Sequence, residues 1–215
     1  LNDYLAPSSF KFASKYNGVG LDYSCVMFAK RFSRNCDDEF VMDLLDNSSK
    51  IIVSKHFSRL EKDTSLDILK EQMNDLQGRI DRRLEINYKR SGGSSFIPWS
   101  LQRRKKELEA LEEKLSSTDC DLFEFAMYIY VAANSLKELN DLRDYIKQTA
   151  RRHQVTLDVL TGATIQEKGL QCILPFAQPA LSDDKTLLGQ PFYFTTDEVA
   201  NLIPFTYQNN IIQPG

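Results

Sequence analysis

One apolar stripe, between residues 66 and 84, constrains the fold of this chain more than any other feature. Its side chains recur at steps of 3, 4, 3, 4 and 4 residues: Leu66, Leu69, Met73, Leu76, Ile80 and Leu84. This spacing puts all of them on one face of an α-helix. A Gly/Ser break at residues 91–95 follows, and a second helical pattern then carries Leu101, Leu108, Leu111 and Leu115. We predict two helices of about 25 and 19 residues that fold back as an antiparallel hairpin about 30 Å long.

The stripe is expected to hold the two helices together. A dimerising coiled coil is the alternative, but it would need more than the roughly three heptads that the stripe provides. Gly78 lies inside the first helix. It should weaken that helix by about 1 kcal/mol and so favour a bend there.

A strand–helix–strand pattern precedes the predicted hairpin. Residues 21–32 include the apolar run Cys25-Val-Met-Phe28, and residues 50–57 begin with a β-branched run, so both segments have the composition of strands. Residues 36–45 between them carry acidic residues at the start and an apolar end, which is typical of a short helix.

The same pattern returns after the hairpin. Leu122–Ala133 is a long apolar strand, Ser135-Leu-Lys-Glu138 is a capping box that starts a helix, and residues 155–160 alternate as a strand does. Two such units predict an α+β fold. We expect a ferredoxin-like β-α-β…β-α-β sandwich, with the long antiparallel helical hairpin inserted between its halves and an extended C-terminal arm.

These patterns define three predicted regions. Residues 1–62 and 119–162 form the ferredoxin-like core, in which residues 1–20 are an irregular lead-in with turn signals at Pro7-Ser-Ser and Asn17-Gly. Residues 63–118 are the inserted hairpin, which begins with the capping-box-like Thr64-x-x-Asp67. Residues 163–215 are a helix over 163–173 and a connector arm.

The arm is rich in aromatic and aliphatic residues between positions 191 and 210. We interpret the chain as a fragment, and we expect residues 192–205 to lie against a motor domain that is absent from it. Without that domain this segment should be loosely held or packed on a neighbouring molecule. Thr195-x-x-Glu198 is predicted to cap a short helix that stops at Pro204.

The charges are strongly segregated. Residues 79–106 hold nine basic and two acidic residues, a local charge of +7 in a chain whose net charge is −3, so the remainder carries −10. The predicted site consists of these basic residues and two aromatic residues from the turn: Arg79, Arg82, Arg83, Lys89, Arg90, Phe96, Trp99, Arg103, Arg104, Lys105 and Lys106.

Three interpretations of this site follow from the residues. Cations around an exposed aromatic segment suit an acidic protein partner or an anionic membrane surface. They also suit single-stranded nucleic acid, whose bases stack on aromatic rings. In the simplest interpretation the cations only solvate a helix face, while Phe96, Ile97 and Trp99 pack inward to hold the turn.

No motif for catalysis or cofactor binding is present. The single Gly-Gly pair, Gly92-Gly93, is followed by Ser-Ser-Phe and not by the Gly-Lys-Ser/Thr of a phosphate-binding loop. The cysteines lie far apart in the sequence, at Cys25, Cys36, Cys120 and Cys172, and we predict reduced thiols and no metal site. The longest uncharged apolar run, residues 125–133, is far shorter than the about 20 residues that span a bilayer.

Several short motifs resemble the N-terminal domain of conjugative type IV secretion ATPases, in particular the TraE/TrsE-like transfer ATPases of Gram-positive mobile elements. The opening Asp3-Tyr-Leu-Ala-Pro-Ser-Ser-Phe10 resembles the family's D-Y-I-A-P-S, and Ile97-Pro-Trp-x-Leu-Gln-Arg103 resembles its hairpin turn. Leu170-Gln-Cys-Ile-Leu-Pro-Phe176 resembles its L-x-x-x-L-P-F/L segment. Thr195-Thr-Asp-Glu198 with Ile203-Pro-Phe-Thr206 resembles its run-in to the motor domain.

The resemblance implies a docking and regulatory role for this chain. In the family a RecA-like motor follows, so ATP and Mg²⁺ belong to the full-length protein, and neither a cofactor nor catalysis is expected in this fragment. The implied partners are the motor domain, other secretion-channel proteins and further copies in a homo-oligomer, at the cytoplasmic face of the cell membrane. A stand-alone nucleic-acid-binding module that uses the basic hairpin is the alternative.

Overall fold

A computed structural model describes residues 9–32, 39–45, 50–91, 97–117, 120–174, 181 and 191–202. Within these ranges the fold is α+β, with a seven-stranded, mostly antiparallel sheet and six helices. The chain divides into two compact units, one formed by Leu1–Phe57 with Glu124–Gly215 and the other by Ser58–Phe123.

Two long apolar strands lie at the centre of the sheet. The strands are β1 (Phe10–Phe12), β2 (Asn17–Val19), β3 (Asp22–Arg31), β4 (Lys50–Arg59), β5 (Leu122–Ala133), β6 (Thr156–Val159) and β7 (Phe192–Thr195). Their order is β1-β2-β3-β5-β4, with β6 also paired to β3 and β7 to β5. β3 and β5 are antiparallel, with Tyr23 opposite Ala133 and Phe28 opposite Tyr128. Both are buried over most of their length, as their composition predicts.

Four helices belong to the first unit: α1 (Glu39–Leu45), α4 (Leu136–Arg152), α5 (Ala163–Ile173) and α6 (Thr196–Leu202). The predicted cap of α4 is confirmed at Ser135, whereas the return bond of Glu138 goes to Asn134, one residue before the N-cap. The Glu138 amide donates to Ser135 Oγ over 3.2 Å, and the Glu138 carboxylate accepts from the Asn134 amide over 3.2 Å. At its other end, His153 Nε2 lies 2.8 Å from Asp43 Oδ2 and so joins α4 to α1.

Residues 9–20 are not the irregular lead-in that we expected. β1 and β2 pair antiparallel, with Phe10 opposite Val19, and β2 continues the sheet beyond β3. Asn17 stands in β2 and not at a turn, because Gln166 of α5 holds it: Gln166 Oε1 accepts from Asn17 Nδ2 over 3.0 Å and from the Val26 amide over 3.1 Å. The Asn17–Gln166 bond joins residues that are 149 positions apart in the sequence, so no local pattern could have predicted it.

The segment Phe192–Leu202 is not a loosely held arm. β7 is part of the sheet, and Phe194 and Leu202 are buried. The predicted cap of α6 is confirmed, since the Glu198 carboxylate accepts from the Thr195 amide over 2.8 Å and Thr195 Oγ1 accepts from the Glu198 amide over 3.5 Å. The expectation was wrong because the aromatic residues of this segment pack on Phe125 of β5. Pro204 and residues 203–215 lie outside the described ranges.

The second unit contains the two predicted long helices, α2 (Lys62–Ser91) and α3 (Trp99–Ser117). α2 has 30 residues, more than the predicted length, and it begins two residues before Thr64, which lies in its first turn. Leu69, Leu76 and Ile80 are buried on α2, as are Leu108 and Leu115 on α3. Among the helices that the structure describes, none is long and apolar enough to cross a bilayer.

Candidate functional site

The apolar stripe of α2 packs against α3. Met73, Leu76 and Ile80 face Leu108 across a groove of about 330 Å³ whose rim carries polar and charged side chains. Arg104 Nη2 also reaches Gln72 Oε1, at 3.4 Å. We call α2 and α3 together the helix pair. We call the apolar stripe of α2, from Leu66 to Leu84, the seam. Its contact with α3 determines which faces of the two helices are exposed to solvent.

Charge divides the helix pair into two parts. We call residues 79–91 of α2 and 99–106 of α3 the basic end, because residues 79–106 hold nine basic and two acidic residues. The rest of the unit, residues 58–78 and 107–123, holds four basic and eleven acidic residues and carries −7. The two charges cancel over the unit, so the separation is visible only when the two parts are counted apart.

The basic side chains of α2 are exposed. Arg79, Arg82, Arg83 and Lys89 all face solvent, whereas the side chain of Arg90 lies outside the described residues. Lys89 Nζ bonds Glu85 Oε1 over 2.6 Å, and this bond lowers the pKa of the Glu85 carboxyl. Arg82 Nε donates to the backbone carbonyl of Gly78 over 3.1 Å.

The basic side chains of α3 differ in their partners. Arg103 and Arg104 both contact Glu107, at 3.0 and 3.5 Å, and Lys105 lies 3.9 Å from Glu109. Lys106 is exposed, and it forms no ion pair with any residue in the described part of the chain. Exposed pairs of this kind contribute only about 0.2–1 kcal/mol each, so the partners restrain these cations without neutralising the basic end.

Trp99 does not pack inward. Its side chain is 69 % exposed, and the guanidinium carbon of Arg103 lies 5.6 Å from the centre of its ring. A cation over a tryptophan face is held by the ring quadrupole, and this contact orients the ring. The interpretation that Trp99 holds the turn from inside is therefore wrong. Phe96 lies outside the described residues.

Two further apolar side chains at the basic end were missed by the sequence analysis. Tyr88 is 70 % exposed and Ile86 is 44 % exposed. Ile86 lies off the spacing of 3 and 4 residues that ends at Leu84, and this position could have identified it as a surface residue. Tyr88 is four residues after Leu84 and would continue the spacing, so the sequence carries no such signal for its exposure.

A serine and a histidine on β4 also lie close together. Ser54 Oγ is 3.0 Å from His56 Nε2, and both atoms contact the backbone carbonyl of Cys172, at 3.1 and 2.8 Å. The carbonyl occupies the imidazole nitrogen that would have to accept the serine proton. This pair therefore fastens β4 to the end of α5 and is not arranged as a nucleophile and its base.

Within the described part of the chain, neither the buried Cys25 thiol nor a cluster of metal-ligating groups offers a second site. Burial raises the pKa of the Cys25 thiol from 9.0 to about 11, which keeps it protonated and unreactive at neutral pH. Among the residues that the structure describes, no group of three or more His, Cys, Asp or Glu side chains could hold a metal ion.

Comparison with known proteins adds no family. The chain matches no protein-family model, and no curated protein matches it.

Proposed function

We propose that this chain is a non-catalytic docking domain whose basic end binds an anionic membrane surface. The observation that carries the proposal is the exposed Trp99 ring with Arg103 over its face, at an end of the helix pair where Arg83 and Lys106 form no ion pair with any described residue. Basic residues near an anionic leaflet each contribute about 1 kcal/mol of attraction. Tryptophan and tyrosine favour the membrane interface because one end of the side chain is apolar and the other is polar.

The exposed apolar side chains support this proposal over simple solvation. Trp99, Tyr88 and Ile86 lie in a part of the helix pair that carries +7. Isolated exposed hydrophobic residues are normal, and what favours an interaction surface here is that these three occur among the cations of one strongly basic end. A lipid interface would take up the rings and at the same time neutralise the cations.

We further propose that the domain belongs to a conjugative type IV secretion ATPase. This assignment rests on the resemblance of its short motifs to that family. In this proposal the chain holds the motor at the cytoplasmic face of the membrane beside other channel proteins, in a homo-oligomer. ATP and Mg²⁺ are bound by the motor. The strand order β6-β3-β5-β4 supports the ferredoxin-like arrangement, with the helix pair as an antiparallel hairpin inserted between β4 and β5.

The alternative, a nucleic-acid-binding module, has less support. A ferredoxin-like sheet that binds RNA presents aromatic side chains on an open face, where bases stack. Here Tyr128 is fully buried, and burial raises the pKa of its hydroxyl. Binding of single strands would therefore have to use the basic end alone.

Fluorescence tests the proposal directly, because Trp99 is the only tryptophan of the chain. We expect its emission to shift to shorter wavelength when vesicles of phosphatidylglycerol and phosphatidylcholine are added, and to stay unchanged with phosphatidylcholine alone. Oligo-dT added at the same charge concentration should leave the emission unchanged. A shift with oligo-dT and none with anionic vesicles would replace the proposal by the nucleic-acid alternative.

A further inference from the structure

A second face of α2 carries its charges in a self-complementary order. We call Ile68, Glu71, Asp75, Arg79, Arg82 and Ile86 the outer stripe. Their steps of 3, 4, 4, 3 and 4 residues put them on one face of the helix. This face differs from the seam, whose members Leu69, Leu76 and Ile80 are buried. The four charged residues of the outer stripe are exposed, Ile86 is 44 % exposed and Ile68 is half-buried.

When the outer stripe is read in the opposite direction, each acidic residue falls opposite a basic one, so the stripe is complementary to an antiparallel copy of itself. Along the chain the order is apolar, acidic, acidic, basic, basic, apolar. An antiparallel second copy would place Asp75 opposite Arg79, Glu71 opposite Arg82 and Ile68 opposite Ile86. All three pairings are centred near residue 77, so a single two-fold axis satisfies them together.

These charges are available for such a partner. Within the described part of the chain, Glu71, Asp75 and Arg79 form no ion pair, and Arg82 bonds only the carbonyl of Gly78. Nearby charges are used differently, since Lys70 pairs with Asp67 three residues away. The charges of the outer stripe are therefore available for a contact outside the single chain.

Gly78 gives an independent indication. Glycine is among the least favourable residues inside a helix, and packing against the described residues does not require it here. Among those residues, a methyl group at this position would meet only Arg82 Nη2, at 3.8 Å. Gly78 adjoins the centre of the outer stripe, where the missing side chain allows the backbone of a second helix to come close.

We propose that two copies of this chain associate through their outer stripes, with the α2 helices antiparallel. The contact runs from Ile68 to Ile86, about 27 Å at 1.5 Å per residue, and contains Asp75–Arg79 and Glu71–Arg82 pairs in duplicate. It specifies a contact between copies that the proposed function does not, and it is argued from the charges of α2 alone. Arg79, Arg82 and Ile86 also belong to the basic end, so the dimer would cover them, whereas Arg83, Lys106 and the ring of Trp99 are outside the stripe and stay free for a membrane.

Sedimentation velocity on the whole chain tests this association. We expect a monomer–dimer equilibrium that weakens about tenfold or more when NaCl is raised from about 50 to 500 mM, because screening shortens the reach of exposed charges. A wild-type chain that stays monomeric up to about 300 μM at the lower salt would overturn the proposal, since a Kd above that concentration is too weak for a specific contact.

Two charge-reversal variants make the test specific. Arg79→Asp/Arg82→Glu and Glu71→Arg/Asp75→Arg should each dimerise at least tenfold more weakly than the wild type, since each sets like charges opposite one another. An equimolar mixture of the two should form a heterodimer about as tight as the wild-type dimer. Mixing distinguishes a direct contact from a general effect of charge, and circular dichroism of each variant checks that the helices persist.

Lys70→Glu is the matched control, because it makes the same change of charge per residue on another face of α2. It should dimerise like the wild type. If the mixed variants remain monomeric, or if Lys70→Glu weakens the dimer as strongly as Arg79→Asp/Arg82→Glu does, the outer stripe is not the contact. Vesicle binding of the same variants is measured separately, so a failure of this proposal leaves the membrane proposal intact, and the reverse also holds.

Discussion

Neutralising two cations of the basic end should weaken membrane binding by a calculable amount. Arg83 and Lys106 are exposed and form no ion pair within the described part of the chain, so each should contribute the full attraction of about 1 kcal/mol to an anionic leaflet. The double variant Arg83→Gln/Lys106→Gln should lose about 2 kcal/mol. Because 1.4 kcal/mol corresponds to tenfold, its partition coefficient should fall about 30-fold.

Co-sedimentation with phosphatidylglycerol-containing vesicles measures that coefficient. The matched control is Lys70→Gln/Lys114→Gln, which removes the same net charge from the part of the unit that carries −7. We expect the control to bind within about twofold of the wild type, because Lys70 and Lys114 lie outside the basic end, in the part of the unit where acidic residues dominate. Equal losses for the two variants would refute the reasoning, since net charge would then decide binding.

Three further predictions concern the fold. In Gly169→Ala the new Cβ would lie 3.2 Å from Val26 Cβ in a buried contact. Overpacking of about 1–3 kcal/mol should exceed the gain in helix propensity of about 1 kcal/mol, so urea denaturation should show lower stability. Thr195→Ala should cost about 1 kcal/mol in the same assay by removing the cap shared with Glu198; an unchanged midpoint would contradict the cap. At pH 8, Cys25 should alkylate far more slowly in the folded than in the urea-unfolded chain, because its raised pKa and its burial both suppress the thiolate; equal rates, read by mass spectrometry, would show that burial does not protect it.

Long periodic elements could be predicted from the sequence, and short ones held by distant contacts could not. Leu122–Ala133 and Ala163–Ile173 have the predicted boundaries, because each is specified by its own apolar pattern or flanking residues. β1 and β2 have three residues each; Asn17 of β2 is held by Gln166, and β1 pairs with β2. β7 depends likewise on β5, about 60 residues away in the sequence. Local reasoning could not supply such pairings.

The candidate site, like the fold, could be predicted from the sequence only in part. The concentration of cations between residues 79 and 106 was visible in the sequence. The direction of Trp99 was not, because an aromatic residue at a turn can pack inward or point to solvent with equal local justification. The ion pairs of Lys89, Arg103 and Lys105 also depend on side-chain geometry, which separates these cations from Arg83 and Lys106.

The central claim is that the basic end enters an anionic membrane interface, and quenching of Trp99 by brominated lipid tests it most directly. Vesicles of phosphatidylglycerol and phosphatidylcholine would carry bromine on the upper part of the acyl chains, within a few ångströms of an interfacial ring. We predict strong quenching of Trp99 in these vesicles. We also expect little or no quenching in brominated vesicles that contain phosphatidylcholine alone. Unquenched Trp99 on a chain that still sediments with the anionic vesicles would contradict the account, because another part of the molecule would then be making the contact.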